Sequence, residues 1–204
     1  MATAESPAST SVGIALAPLR LPEDGWIFGH EMTGRVARLG RTAYVNAWDL
    51  QKMLFQARGM GVTGDLLLLT EHDHVYTLGT SGEMDHLLAG AEELQRSGAQ
   101  VLVTDRGGDI TYHGPGQITG YLICDLRERG LDAHGYLRAI EEVLLQALVA
   151  YGVEGRRDPE YTGVWVGDEK VAAIGVRVSR WVSFHGVSLN VEPDLRDYAG
   201  IIPC

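Results

Sequence analysis

Three residues that could support acyl or proton chemistry lie in separate parts of the chain: a histidine, a lysine and a cysteine. The histidine, His113, belongs to a twelve-residue stretch, 106–117, that contains four glycines. Glycines at this density are costly to order, because each loses more backbone freedom on folding than any other residue. The stretch therefore predicts close approach of backbone to a bound molecule, although an irregular hairpin has a similar composition.

The lysine, Lys170, opens a segment that is otherwise apolar through Ile174. A lysine in this position is usually a solvated residue at a sheet edge. If it faces a pocket, its ammonium can lower the pKa of a nearby thiol, or lose a proton when desolvated and act as a base. Cys204 is the candidate thiol, whereas Cys124 lies in an apolar strand pattern and is typical of an inert core cysteine. The residues alone leave the pairing of Lys170 with Cys204 open.

Metal and nucleotide sites are disfavoured by spacing. His72 and His74 stand beside two carboxylates, but residues two apart point to opposite faces of a strand. No third cluster offers matching ligand spacing, so we expect no metal. The stretch 106–117 has no Lys-Ser/Thr after its glycines and does not match Gly-x-Gly-x-x-Gly opening a helix, so we expect no nucleotide cofactor.

The elements that must position these residues follow from periodicity. Strands are predicted at 65–70, 101–104, 121–124, 163–166, 170–178 and 184–191, the last three joined as hairpins. A helix capped by Thr42 is predicted to end by Gly59, a short one spans 91–97, and a longer one runs from the cap Asp132 to Gly152. Because strands and helices mix without strict alternation, the expected fold is α+β with a largely antiparallel sheet.

Length and charge limit the number of domains and the kinds of partner that the chain can have. The chain of 204 residues favours one domain, and a formal charge of −10 argues against nucleic-acid binding. Two cysteines make no disulfide framework, and no apolar run reaches the length of a membrane helix. We expect a cytoplasmic protein with an N-terminal extension over 1–34, whose first dozen residues are disordered, and one catalytic domain over 35–204.

Several motifs together resemble one enzyme family. They are Arg106-Gly107-Gly108, then Thr111-Tyr112-His113-Gly114-Pro115-Gly116-Gln117, then Lys170-Val171-Ala172-Ala173-Ile174-Gly175, then His185-Gly186, and finally Ile202-Pro203-Cys204. In this combination they resemble the lipoyl(octanoyl) transferases, from about Val36 to the last residue. Family members continue past the Pro-Cys pair, so we expect the domain to lack the family's C-terminal segment.

The resemblance implies a fold, a mechanism and partners. The fold would be that of biotin/lipoate protein ligases, with a main mixed sheet and a smaller one. Cys204 would attack the octanoyl thioester of acyl carrier protein, with Lys170 lowering the thiol pKa, and no cofactor would be needed. The acyl group would then pass to a lysine of apo lipoyl domains, those of 2-oxoacid dehydrogenase complexes and the glycine cleavage H protein. The residues implied to line the acyl tunnel are Arg106, Gly107, Gly108, Asp109, Ile110, Thr111, Tyr112, His113, Ala173, Ile174, Gly175, His185, Gly186, Val187 and Ser188.

Two alternatives remain at this level. An ATP-dependent lipoate–protein ligase of the same fold would activate free lipoate as an adenylate and would not need Cys204. A noncatalytic acyl- or carrier-binding module would retain the tunnel without the chemistry. No nucleic-acid or membrane partner is expected in either case.

Overall fold

The computed structural model describes residues 26–27 and 33–202, and the elements below belong to these residues. Ten strands and three α-helices follow one another, with short 3-10 turns at Met84–His86 and Leu195–Gly200. In chain order the elements are β1 (Trp26–Ile27), β2 (Thr33–Thr42), α1 (Tyr44–Gly59), β3 (Leu66–His72), β4 (Val75–Leu78), α2 (Ala91–Ser97), β5 (Gln100–Val103), β6 (Ile110–His113), β7 (Gln117–Ile123), α3 (Ala133–Ala150), β8 (Val164–Val166), β9 (Glu169–Ser179) and β10 (Val182–Asn190).

Seven strands form the main sheet, in the order β1-β2-β3-β7-β10-β9-β8. Within it only β2 and β3 run parallel, which agrees with the largely antiparallel sheet expected from the sequence. The long hairpin of β9 and β10 turns at Arg180 and Trp181, and β8 covers the outer edge of β9 only as far as Ala172. Beyond Ala172, the outer edge of β9 has no β8 partner and is accessible to another segment of the chain.

Each face of the main sheet is covered by one helix. On one face Ala47 of α1 packs against Leu68, Tyr121 and Phe184. On the other face, the apolar stripe of α3 packs against Val171 and Leu189. Asp132 caps α3 as predicted, since its side chain accepts a hydrogen bond from the backbone N–H of Gly135 at 2.7 Å. None of the described helices is long and apolar enough to span a bilayer.

The small sheet has the order β5-β4-β6 and its own apolar cluster, which includes Tyr76, Ile110, Tyr112 and Ile201. It is joined to the main sheet through the turn at Gly114-Pro115-Gly116, which connects β6 to β7. Because Ile201 is buried in this cluster, the last described residues lie against the small sheet. There the backbone N–H of Ile202 donates to the carbonyl of His86 at 2.8 Å.

Three local predictions were wrong. Thr42 does not cap α1, because it ends β2 and its hydroxyl lies 2.8 Å from that of Thr70. The stretch 106–117 is not one loop, since β6 lies inside it, paired with β4. Val103 was expected in a buried strand but is 72% exposed, because β5 is an edge of the small sheet. The expectations for residues 1–25 fall outside the described residues.

Candidate active site

A cavity of about 430 Å³ lies between the hairpin β9–β10, the segment 106–113 and Tyr44 of α1. Lys170 is on its wall. Fourteen of the fifteen residues expected to line the acyl tunnel also line this cavity, namely Arg106, Gly107, Gly108, Asp109, Ile110, Thr111, His113, Ala173, Ile174, Gly175, His185, Gly186, Val187 and Ser188.

The fifteenth, Tyr112, faces away from the cavity. Its neighbours in β6 line the wall, while its own ring packs in the core of the small sheet. Its hydroxyl donates to Asp197 at 2.7 Å and lies 2.6 Å from Nδ1 of His74. A tunnel-lining role for Tyr112 therefore has no support from its position.

Glycines make the floor of the cavity where two backbones meet. Gly175 and Gly186 stand opposite each other in the β9–β10 ladder. A Cβ on Gly186 would lie 2.0 Å from the carbonyl oxygen of Gly120, and one on Gly175 would lie 2.9 Å from that of Gly107. A side chain at Gly186 would therefore push β10 away from β7, and one at Gly175 would push the segment at Gly107 away from β9.

Arg106 holds the glycine-rich segment in place. It is buried, its Nε donates to the hydroxyl of Thr77 at 3.0 Å, and its Nη2 donates to the carbonyls of Thr77 and Asp109 at 2.5 and 2.6 Å. Next to it, the N–H of Gly107 donates to the carbonyl of Val176 at 3.1 Å. The segment thus occupies the edge of β9 that β8 leaves uncovered, and so closes one side of the cavity.

A hydrogen-bonded group surrounds His113 where β6 turns into β7. Nδ1 of His113 lies 2.7 Å from Oε1 of Gln117. The side-chain Nε2 of Gln117 donates to Oδ1 of Asn190 at 2.9 Å and to the hydroxyl of Tyr198 at 2.8 Å. Burial, with the charges of His72 and Arg106, lowers the pKa of His113 to about 3. His113 is therefore neutral at physiological pH and acts as a hydrogen-bonding wall residue.

His185 and Asp105 form a second polar pair beside the cavity. Nε2 of His185 lies 2.8 Å from Oδ1 of Asp105, which also accepts from Nε1 of Trp48 at 3.2 Å. Burial lowers the pKa of His185, although its hydrogen bond to Asp105 acts in the opposite direction. Burial acts to raise the pKa of Asp105, but the hydrogen bond and charge of His185 and the charge of Arg177 outweigh it and lower that pKa. In this pair, the carboxylate of Asp105 therefore accepts a hydrogen bond from the neutral imidazole of His185.

Lys170 lies in β9, next to the turn of the β8–β9 hairpin, and lines the cavity from there. Its Nζ lies 5.0 Å from the centroid of the Trp165 ring, which covers the side chain on one side. Cys204 lies outside the described residues, so its pairing with Lys170 stays a prediction. Cys124 is buried in the α3 cluster, and burial raises its pKa to about 11, which agrees with an inert core thiol.

The other wall residues were not expected to line the tunnel, although the family resemblance also covered Tyr121 and Asn190. They come from α1, β7, α3, the loop before β8, the strands β9 and β10, and the C-terminal turn: Tyr44, Thr119, Tyr121, Leu137, Glu160, Tyr161, Thr162, Val176, Asn190 and Tyr198. Alternation along β7 could have identified Thr119 and Tyr121, since both share a face with Gln117. Tyr44 falls in the helix that the sequence predicted between Thr42 and Gly59. Its place in the wall depends on a packing contact that the sequence does not encode locally.

Comparisons with known proteins agree with this geometry. Residues 43–204 match the family described as the lipoyl protein ligase A/B catalytic domain. The chain is 50% identical over 167 residues to an octanoyltransferase of Solibacter usitatus, covering 82% of this chain and 76% of that protein. It is also 50% identical over 167 residues to an octanoyltransferase of Rubrobacter xylanophilus, with 81% and 75% covered.

Solved structures of lipoate-protein ligases share the fold of this chain. A bi-partite lipoate protein ligase of Thermoplasma acidophilum superposes with a TM-score of 0.62 at 16% identity, covering 85% of this chain and 68% of that one. A lipoate-protein ligase A bound with ATP gives a TM-score of 0.64 at 15% identity, covering 83% and 72%. At these identities the likeness concerns the fold alone.

Proposed function

This chain belongs to the lipoyl protein ligase A/B catalytic domain family, and we propose that it transfers octanoyl groups from acyl carrier protein to apo lipoyl domains. Its curated relatives at 50% identity are octanoyltransferases, which supports octanoyl transfer in protein lipoylation and makes this chain an acyltransferase. The expected α+β fold of biotin/lipoate protein ligase type is confirmed by the ligase structures that superpose on it.

The observation that carries the proposal is the glycine floor of a cavity whose wall includes Lys170. Gly175 and Gly186 line the cavity with backbone, Gly186 allows β10 to lie close to β7, and Gly175 allows the segment at Gly107 to lie against the edge of β9. A narrow volume bounded by backbone and by apolar Ile174 and Val187 suits a flexible hydrocarbon chain. Burying an acyl chain there would contribute about 0.8 kcal/mol for each methylene.

The proposed chemistry proceeds in two steps through Cys204. The thiolate attacks the carbonyl carbon of the octanoyl thioester, an Sγ–C bond forms, and the bond to the carrier's sulfur breaks. The carrier thiolate leaves and takes a proton, for which Lys170 is the proposed donor. A lysine amine of the lipoyl domain then attacks the enzyme thioester, an amide bond forms, the sulfur of Cys204 leaves as a thiolate, and the proton lost by the amine returns to Lys170.

Exchange of one thioester for another is nearly isoergic, so the first step needs no nucleotide. The second step forms an amide, which is more stable than a thioester, and so draws the reaction forward. The proposed acceptors are lipoyl domains of 2-oxoacid dehydrogenase complexes and the glycine cleavage H protein. We propose the cytoplasm as the compartment, and residues 35–204 as the catalytic domain.

Intact-protein mass spectrometry tests the covalent step. The chain is mixed with octanoyl-carrier protein, and a mass increment of one octanoyl group is expected on the wild type and not on Cys204→Ala. An adduct that survives Cys204→Ala would sink the acyl-cysteine mechanism. A chain that forms no adduct, but releases pyrophosphate from lipoate and ATP, would be a ligase instead.

Acceptor transfer is measured separately. Purified acyl-enzyme, freed of carrier protein, is added to an apo lipoyl domain and to the same domain with its target lysine changed to arginine. Octanoyl should move to the first and not to the second. Retention of the acyl group on the enzyme in both cases would restrict the chain to acyl binding.

A further inference from the structure

Behind the cavity wall, α3 carries a buried carboxylate, that of Glu141. Leu137, one helical turn earlier on the same face, lines the cavity, whereas the side chain of Glu141 is only 1% exposed. A carboxylate in a buried position is costly unless hydrogen bonds and opposite charges compensate it. Because apolar residues of similar size often replace buried ion pairs without loss of stability, packing alone does not require a charge here. The partners of Glu141 therefore indicate what the charge does.

The carboxylate of Glu141 holds both ends of one loop, residues 157–163, which we call the rim loop. At the first end, its Oε2 lies 3.2 Å from Nε of Arg157. At the second end, its Oε1 accepts from the backbone N–H of Gly163 at 3.2 Å. Its Oε2 also accepts from Nη1 of Arg138, an earlier residue of α3, at 2.8 Å. A single side chain thus attaches the rim loop to α3 at two points.

The middle of the rim loop forms part of the cavity wall. Asp158 gives the loop a fixed turn, since its Oδ1 accepts from the backbone N–H of Glu160 at 2.9 Å and from that of Tyr161 at 3.1 Å. Glu160, Tyr161 and Thr162 line the same cavity as Lys170. Movement of the rim loop away from α3 would therefore open the cavity on this side.

The second end of the rim loop also lies against the ring that covers Lys170. Gly163 packs so closely that a Cβ on it would lie 2.7 Å from the carbonyl oxygen of Ala172 and 3.4 Å from the ring of Trp165. Trp165 is buried, and its ring centroid lies 5.0 Å from Nζ of Lys170, its partner in the β8–β9 ladder. The hydrogen bond from Gly163 to Glu141 therefore fixes one side of the space that the Lys170 amine occupies.

We infer that Glu141 is a positioning residue for Lys170. By holding the rim loop against Trp165, it keeps the lysine amine on the side of the cavity where a proton must reach the leaving thiolate. This inference rests on the proposed octanoyl transfer for the role of Lys170, whereas the placement of the amine is a property of the fold. Because Arg138 and Arg157 are 41% and 38% exposed, water can solvate both when the carboxylate is removed, so Glu141→Leu should fold.

Acetylation of lysine amines by acetic anhydride tests the placement without requiring catalysis. The lysines of the chain are Lys170 and the exposed Lys52 on α1, so peptide mapping quantifies each against the other. In Glu141→Leu, the ratio of the Lys170 rate to the Lys52 rate should rise by about threefold or more over wild type, because the released rim loop no longer covers the amine. Glu141→Gln keeps an acceptor for the N–H of Gly163 and should give a ratio near that of wild type.

Glu142→Leu is the matched control. Glu142 is the next residue of α3, its side chain is 50% exposed, and it pairs with Nη2 of Arg157 at 2.7 Å. Its removal should leave the acetylation ratio unchanged, because Glu141 still holds both ends of the rim loop. Arg157→Met frees only the first end and should raise the ratio by less than Glu141→Leu. Urea denaturation confirms that each variant is folded, and Arg157→Met decides the question if Glu141→Leu is not.

The effect on chemistry is measured as the single-turnover rate of acyl-enzyme formation from octanoyl-carrier protein. Glu141→Leu should slow this rate about tenfold, since a misplaced catalytic group reacts less often. The double variant of Lys170→Ala with Glu141→Leu should be no slower than Lys170→Ala alone, because one residue acts through the other.

The two measurements separate this inference from the proposed function. A wild-type acetylation ratio in the folded Glu141→Leu and Arg157→Met chains, or additive losses of rate in the double variant, would overturn the positioning role. Failure of the wild type to form any acyl-enzyme would instead count against the proposed transfer. In that case the acetylation ratio would still decide whether Glu141 places the Lys170 amine.

Discussion

At the residue scale, the histidines beside the cavity are poor candidates for proton transfer near neutral pH. Burial lowers the pKa of His72, His113 and His185 from the usual value, so each is neutral where the enzyme works. A neutral imidazole fixed by partners supplies shape and hydrogen bonds. Among the wall residues that the structure describes, Lys170 is the group best suited to exchange a proton with a leaving thiol or an attacking amine.

The pairing of Lys170 with Cys204 is testable through thiol reactivity. Lys170→Ala should slow alkylation of Cys204 by iodoacetamide at pH 7 by about tenfold, because loss of a neighbouring positive charge reduces the thiolate fraction. Peptide mapping assigns the label, since buried Cys124 is the other thiol. Lys52→Ala, which removes an exposed lysine on α1, is the control. Identical alkylation profiles for wild type and Lys170→Ala from pH 6 to 9 would refute the pairing.

The glycine floor makes a second prediction at this scale. Gly186→Ala should lower the free energy of unfolding by about 1–3 kcal/mol, because its Cβ would lie 2.0 Å from the Gly120 carbonyl, and should weaken acyl binding, because the cavity-lining strand β10 must shift to relieve that contact. Gly59→Ala, near the end of α1, has no atom within 4 Å of its Cβ and should be neutral or slightly stabilising. Urea denaturation and octanoic-acid titration measure both effects. Normal binding by Gly186→Ala would contradict the assigned floor.

At the element scale, local signals predicted most helices and strands. The short helix at Ala91–Ser97 ends before Gly98 with φ of 68°, as its glycine indicated, and Asp132 caps α3. The hairpins near the C-terminus agree because their turns are made by adjacent residues. These features depend on contacts between residues close in sequence, which is why the pattern carries them.

The elements that were predicted wrongly depend on partners that are distant in sequence. β6 is a strand because β4, more than thirty residues earlier, supplies its ladder, and glycines on either side concealed that pairing. The motifs supplied fourteen of the cavity-lining residues, whereas ten further ones, such as Tyr44 and Tyr161, were not predicted as wall residues and the expected Tyr112 lies elsewhere. The turned side chain of His185 could not be predicted, since alternation places it on the opposite face and only the φ angle reverses it.

Asp65 ties three elements together and gives a prediction of its own. Its carboxylate accepts from Nε of Arg58 at the end of α1 and from Nε of Arg129 after β7, each at 2.7 Å. Asp65→Ala should therefore cost about 3–5 kcal/mol of unfolding free energy, because it leaves a buried guanidinium short of its partner. Asp49→Ala, which removes an exposed pair with Lys52, should cost less than 1 kcal/mol. A loss below 1 kcal/mol for Asp65→Ala in urea titrations would disprove this role.

At the scale of the whole molecule, the cavity is formed where the small sheet meets the main one, and buried polar groups fill the junction. Neutral His72 bonds to the hydroxyl of Tyr121 at 2.6 Å, and the ring of Tyr44 stacks on His113 at 5.7 Å. The first contact lies within the main sheet, whereas the second joins α1 to β6 of the small sheet. The active-site wall and the stability of the fold are therefore linked through the same side chains.

That link predicts how stability depends on pH. A histidine with a depressed pKa in the folded state is protonated first in the unfolded chain, so stability is lost as pH falls below about 6.5. For His113, with its folded pKa near 3, the loss should be about 1.4 kcal/mol per pH unit between these limits. Carboxylates with lowered pKa, such as Asp105, add to the loss only at lower pH.

Urea titrations at pH 7.5, 6 and 5 should show this loss in wild type, and His113→Gln should lose about 2 kcal/mol less than wild type between pH 7.5 and 5. His134→Gln, on an exposed residue in the first turn of α3, should keep the wild-type slope. If His113→Gln and wild type lose stability in parallel, the imidazole of His113 is not buried in its neutral form, and the hydrogen-bonded wall around it would have to be revised.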